Sequence, residues 1–280
     1  MAQTSGTLPR SFIHRELRLA AMTTSAPRPG RRRLLAALFV TLVIVGGALE
    51  LYTRLPNVDR IPVLYLPAGV QVVTLLIHGA QDGDDPLLPG IVLALSERDA
   101  GEPASAVQLV NWEPASDDRL RAAANARVIG KAIGERLARL GTVRELRLVA
   151  HSVGAFMPDA ICESFRAASP RPVRVEIEFL DPFQINGFFD WSWGARHHGR
   201  CADFALSVLN TDDNAPATTQ PLQQAFNLDV TRHPARAGFK LGGHRWPLQY
   251  YRDFLASQPH PAGRSHDREP RGTVVAAPTR

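Results

Sequence analysis

Two cysteines, Cys162 and Cys201, are all that 280 residues offer, so neither a disulfide framework nor a cysteine zinc site can organise this fold. Positive charge is equally scarce where the chain is longest. Between Leu55 and Phe254 there are 20 basic and 23 acidic side chains, a net of −3, which argues against a nucleic-acid groove. There is no internal repeat, and only one long apolar run. The formal net charge of +5 and pI of 9.7 therefore come from elsewhere. Residues 1–33 hold seven arginines against Glu16 alone, so the basicity belongs to one short terminal segment. With 45% hydrophobic and 21% charged residues, the rest is enough for one globular domain, and collagen-like or wholly disordered classes are excluded.

The apolar run is residues 34–49 (LLAALFVTLVIVGGAL), uncharged until Glu50 and preceded directly by Arg31, Arg32 and Arg33. Extended by Leu51 and Tyr52, it is slightly short of the ~20 residues that cross the hydrocarbon core. Nothing in it forms the polar stripe of a core helix. The arginine cluster on its N-terminal side predicts a cytoplasmic tail at 1–33 and an exported body. The expected organisation is thus a basic cytoplasmic tail (1–33), a transmembrane signal-anchor (34–54), a folded globular domain (55–256) and a disordered tail (257–280). A cleaved signal peptide, cut near Gly46, Gly47 and Ala48, is the alternative and would leave a secreted domain. An exported body meets an oxidising environment, which permits a Cys162–Cys201 disulfide without requiring one.

Apolar runs at 72–77, 107–112, 146–150, 173–180 and 204–209 read as strands, and 118–140 and 153–168 as helices. In the first helix Ile129, Ile133, Leu137 and Leu140 share one face, with Gly141 as C-cap. Strands alternating with helices predict a mostly parallel central sheet covered on both faces. Sites in such sheets gather at the carboxyl ends of the strands, where His78, Ser152, Asp181 and Asp212 fall.

Residues 148–155 (LVAHSVGA) place Ser152 at the apex of a strand–turn–helix, with small Ala150 and Gly154 on either side. That is the layout of a nucleophile elbow, which lifts a hydroxyl above the sheet. A serine hydroxyl needs an adjacent base, oriented in turn by a carboxylate. His244, in a glycine-bracketed loop, is the leading base and His233 its rival. The adjacent pair His197 and His198 would point opposite ways on a strand and does not suit zinc. His260 and His266 fall in the tail. Asp181 and Asp212 are the candidate acids, each at the end of a strand.

These residues form an ordered series that resembles the pancreatic-lipase-like branch of the α/β-hydrolases. The strand ending in His78-Gly79 is similar to that family's oxyanion loop. Val110-Asn111-Trp112 and residues 124–130 (ANARVIG) resemble its V-D-W strand and following helix. His151-Ser152-Val153-Gly154-Ala155 resembles its elbow, Leu180-Asp181-Pro182 its acid motif, and Gly243-His244 with Tyr250-Tyr251 the segment carrying the base. The resemblance implies an α/β-hydrolase fold, here expected behind the N-terminal transmembrane helix read from the apolar run, and Asp181 as the acid. It implies ester hydrolysis through Ser152, Asp181 and His244, with backbone N–H groups of Val153 and Ala80 holding the oxyanion, and without metal or organic cofactor. The expected partners are an ester or lipid substrate and the membrane. The chain departs from the family at Ala150, Ala80 and Asn210, where glycine, a bulky apolar residue and histidine are usual. It also lacks the family's disulfides and its lipid-associating domain. Residues 215–241, between the last expected strand and the base, suggest a lid or an acyl-chain contact. The aromatics Phe183, Phe188, Phe189, Trp191 and Trp193 suit an apolar pocket, a membrane interface or plain core packing. A catalytically silent binding module and an acyltransferase with the same triad are the competing readings.

Overall fold

The computed structural model describes residues 30–102, 104–213, 215–258 and 264–279. The greater part of the expected basic tail (1–29) and His260 therefore lie outside the described residues. Gly30–Arg33 and the apolar run are inside them. Arg31–Arg54 forms a single 24-residue helix, α1, whose apolar side chains from Leu34 to Val45 are exposed. It is long and apolar enough to cross a membrane. The chain divides into two compact units, Met1–Val43 and Ile44–Arg280, with the boundary inside α1.

The second unit is an α/β domain built on a seven-stranded sheet. Its strands are β1 (Val72–Ile77), β2 (Ser105–Val110), β3 (Glu145–His151), β4 (Arg174–Leu180), β5 (Phe204–Leu209), β6 (Phe226–Asp229) and β7 (Val274–Ala276). They lie in the order β2-β1-β3-β4-β5-β6-β7, and every pairing is parallel. A parallel strand buried on both faces needs apolar residues throughout, and all six residues of β1 are buried. The alternation within the strands then assigns each side chain to a layer. Val73, Leu75, Ile77, Leu146, Leu148 and Ala150 pack toward α3 (Ala122–Arg139) and α4 (Phe156–Ala168). Leu76, Val149, Leu180, Leu206 and Val208 pack on the other face, with α2 (Leu88–Asp99) and the short helix Trp246–Tyr250.

The expected strands and helices appear in place, with ends displaced by a few residues. Ile129, Ile133 and Leu137 are fully buried on α3, but Leu140 is 42% exposed because it is the residue at which the helix ends. Two expectations are corrected. Residues 215–241 are not a bare connection, since Phe226–Asp229 in their middle is the sixth strand. The tail is not disordered throughout, because Val274–Ala276 adds the edge strand β7. Two arginines of the tail tie it to the body. Arg264 reaches Glu178 at 3.1 Å, and Arg271 donates to the carbonyl oxygens of Gly199 and Ala202 at 2.9 and 2.8 Å. Glu178 is 8% exposed and meets Arg98 at 4.0 Å and the Tyr251 hydroxyl within the body; the tail adds Arg264 as a second cation.

Cys162 on α4 and Cys201, just before β5, are joined in a disulfide. The strand order reverses about β1, which has β2 on one side and β3 on the other. The crevice at the carboxyl ends of β1 and β3 is where such sheets place ligands.

Candidate active site

The chain leaves β3 at His151 in extended conformation and enters a short 3-10 turn (Ser152–Ala155) before α4. Ser152 takes φ +54°, a left-handed conformation that serine rarely adopts and that the surroundings must enforce. Gly154 is part of that enforcement. A Cβ there would stand 2.5 Å from the His78 carbonyl oxygen, so only glycine lets the elbow sit against the end of β1. Gly79 is under a matching constraint, since its Cβ would come within 2.8 Å of Ser152 Cβ. The loop after β1 thus passes directly over the serine. His78, fully buried, holds the loop: its Nδ1 faces the Gly79 carbonyl at 2.7 Å, and its Nε2 accepts from the Trp112 N–H at 3.3 Å. With both ring nitrogens engaged by backbone, its role is to shape the loop.

Asp181 also has a positive φ, +46°, at the end of β4. Its side chain is completely buried and faces His244 Nδ1 at 2.6 Å, across 63 residues of sequence. The Asn210 N–H donates to the other carboxylate oxygen at 3.1 Å. Asn210 stands where the resembled family has histidine, and its side chain donates to the Gly243 carbonyl at 3.1 Å. The loop carrying His244 is therefore tied to β5 on one side. On the other side Arg245 pairs with Asp85 at 2.6 Å and Asp82 at 3.3 Å, while His151 Nε2 lies 3.3 Å from the His244 carbonyl. The His151 and His244 rings are 4.7 Å apart.

A cavity of about 430 Å³ opens over this group, within the range of small-molecule sites. Ser152, His244, Val153 and Ala80 all line it, with Phe183, Pro216 and Leu241 among its apolar wall. Every site residue expected from the sequence thus meets at one place: Ser152, His244, Val153 and Ala80 on the cavity, and Asp181 against His244. The rivals are elsewhere. Asp212 is exposed and paired with Arg236. His233 caps a 3-10 turn and packs on Trp246, Tyr250 and Phe254. His198 is buried with its Nε2 on the Phe183 carbonyl at 2.9 Å, and His197 stacks on Trp193. Residues 215–241 do contribute to the cavity, through Ala215, Pro216, Thr218 and Leu241.

One residue was missed. Asp213, adjacent to the candidate Asp212, lies 3.2 Å from the same His244 Nδ1. The sequence signal was the paired aspartate after β5, where one position decides whether a carboxylate turns into the site or out to solvent. Burial alone would lower the His244 pKa, but the hydrogen bonds and charges of Asp181 and Asp213 outweigh it and raise it to about 9. Burial pushes the Asp181 carboxyl up, to about 6, against the opposing pull of His244. Burial also opposes ionisation of Asp213, but its contacts with His244 and Asp181 hold it down, at about 2.

Asp181, Asp213 and His244 present ligand atoms within 4.8 Å of one another, a spacing that a metal ion could also use. The 2.6 Å separation of His244 Nδ1 and Asp181 is that of a charge-assisted hydrogen bond. Two ligands sharing a metal at roughly 2.1 Å each would stand about 3 Å apart or more. The arrangement is that of an imidazole shared by two carboxylates.

No family model matches the chain, and no curated protein matches it. Among solved structures the chain is similar to lipase B of Aspergillus fumigatus, at 13% identity and a TM-score of 0.35, over 62% of this chain and 50% of that one. The chain thus spans about half the length of that lipase. At this level of likeness the chemistry must be read from the side chains themselves.

Proposed function

We propose that this chain is a membrane-anchored serine hydrolase that cleaves carboxylic esters, lipid-like ones in particular, through Ser152, His244 and Asp181. The observation that carries the reading is the pairing of His244 Nδ1 with buried Asp181 at 2.6 Å, on the cavity that Ser152 lines at positive φ. A carboxylate on Nδ1 leaves Nε2 to act as the base, and a serine on a strained elbow is the group such a base serves.

In the reaction the Ser152 hydroxyl oxygen attacks the ester carbonyl as His244 Nε2 takes its proton. The tetrahedral oxyanion is held by the backbone N–H groups of Val153 and Ala80, each worth on the order of 3 kcal/mol of barrier. His244 then returns the proton to the leaving alcohol, which leaves an acyl-serine. Water, deprotonated by the same imidazole, attacks the acyl carbon, and the carboxylic acid departs as Ser152 regains its proton. Asp181 keeps Nδ1 protonated and stabilises each imidazolium. The acid one strand after the nucleophile, at the end of β4, supports the pancreatic-lipase-like resemblance. The apolar wall formed by Phe183, Pro216 and Leu241 suits an acyl chain.

The anchor reading rests on the 24-residue apolar helix with Arg31–Arg33 at its N-terminal end. Positive charge stays on the cytoplasmic side, so the catalytic domain belongs on the exported one. The Cys162–Cys201 disulfide supports that side, since oxidising compartments are where such bonds persist. The test is labelling by a serine-directed fluorophosphonate, with hydrolysis of a graded series of fatty esters and phospholipids. Wild type is expected to be labelled and Ser152→Ala to be silent in both assays. Equal labelling of the two proteins would sink the nucleophile assignment.

A further inference from the structure

Three large aromatics stand in water on the loop that follows Asp181: Phe188, Phe189 (63% exposed) and Trp191 (59% exposed). They are rigidly held. The Trp191 indole N–H donates to the Phe188 carbonyl at 3.1 Å, Phe188 and Phe189 pack edge to face, and Asn186 bridges to Asp190. What holds them is the end of the apolar helix. The Phe188 N–H donates to Glu50 at 2.6 Å, and Arg54, itself paired with Glu50, reaches the Asn186 carbonyl at 3.5 Å. The Phe189 ring lies against Gly46, where a Cβ would be 3.3 Å from Cζ. Gly46 belongs to the uncharged run that ends at Glu50, and by helical rise it sits about 6 Å deeper than Glu50 along the axis.

These contacts fix a depth. If the uncharged run crosses a bilayer, Glu50 and Arg54 mark where it leaves the hydrocarbon, and a ring packed on Gly46 lies on the membrane side of that mark. Tyr52, with the Arg121 guanidinium 4.2 Å from its ring centre, stands at the same level as the charges. Aromatic rings at the headgroup level and cations just outside are the pattern of a membrane–water interface. The loop is also joined to the site: Phe183 lines the cavity and donates its N–H to the Ser152 carbonyl at 3.0 Å. Phe188 is five positions beyond Phe183, so their Cα atoms stand at most about 18 Å apart.

We infer that Phe188, Phe189 and Trp191 insert into the phospholipid interface of the membrane that holds α1, seating the body so that its cavity draws substrate from the bilayer. This rests on the anchor reading of α1, and its test needs no catalytic turnover. The full chain is reconstituted in phosphatidylcholine vesicles, in plain lipid and in lipid brominated at shallow acyl positions. Flotation after a carbonate wash checks the anchor, and tryptophan quenching checks the loop. Trp112 and Trp246 are buried in the body, and Trp193 is stacked on Phe156 and His197, so a lipid-borne quencher reports chiefly on Trp191.

The expected result is that the protein floats, that brominated lipid quenches its fluorescence, and that Trp191→Phe loses most of that quenching while still floating. Release by carbonate overturns the anchor reading, and the insertion with it. Flotation with equal quenching in wild type and Trp191→Phe overturns the insertion alone and leaves the anchor standing. Phe189→Ser, which retains Trp191, serves as a second variant: reduced quenching is expected, and unchanged quenching removes Phe189 from the inserted set.

Discussion

Replacing Asp213 by asparagine separates the roles of the two carboxylates that face His244. In wild type Nδ1 lies 2.6 Å from Asp181 and 3.2 Å from Asp213, and together they raise the imidazole pKa to about 9. His244 must be neutral to accept the Ser152 proton, so activity is lost as pH falls through that value. At pH 7 a base of pKa about 9 is neutral in roughly 1% of molecules. Asp213→Asn removes one anion and keeps the shape. An opposite charge at this distance moves a pKa by about 1–3 units, and the partly solvated His244 argues for the lower half of that range. The acidic limb of kcat/KM against pH is therefore expected near pH 7–8 in the variant, against about 9 in wild type. The rate at pH 7 rises by up to about tenfold, and the alkaline plateau falls a few-fold, because a weaker base transfers the proton less effectively. The assay is a pH series from 5 to 10 on a chromogenic short-chain ester. An unmoved limb would refute the two-carboxylate account of the His244 pKa. A collapse of about 10⁴ at every pH would make Asp213, and not Asp181, the residue that holds the imidazole in its working tautomer.

Three further outcomes follow from the packing. Gly154→Ala drives a Cβ to 2.5 Å from the His78 carbonyl oxygen; a loss of about 1–3 kcal/mol in urea melts is expected, with fluorophosphonate labelling abolished, and normal labelling would refute the close approach. Replacing Cys162 and Cys201 together by alanine frees a 39-residue separation, and the loop-closure relation gives a loss of about 4 kcal/mol in the same melts. Ending the chain at Gln258 removes β7 and leaves Glu178 without Arg264, so the melting midpoint should fall by several degrees; an unchanged midpoint would mean the tail adds nothing to the sheet.

Parts of the fold were legible for local reasons. β1 and β5 are six-residue runs with one polar residue each, because both faces are covered, and such runs stand out in any window of six. The elbow was legible because its backbone demands small neighbours, and Ala150 and Gly154 provide them. Helix α2 leaves little local signal, since Pro89 and Gly90 at its start break the pattern of Leu88, Ile91 and Leu95. β6 and β7 are four and three residues long, too short for any alternation to register, and they exist through pairing with strands distant in sequence.

The sequence by itself determined the separation of charge from the body, the apolar helix, the parallel-sheet pattern and the set of candidate site groups. Each of these depends on neighbours within a few residues, where spacing alone decides which way a side chain points. Only the tertiary structure decided that Asp181 and Asp213 face His244 while Asp212 pairs with Arg236 in water. It alone placed the aromatic loop against Gly46 and Glu50, and the tail against β4 and β6. Those outcomes turn on contacts made across tens of residues, where a shift of one position reverses a side chain and no local pattern records the choice.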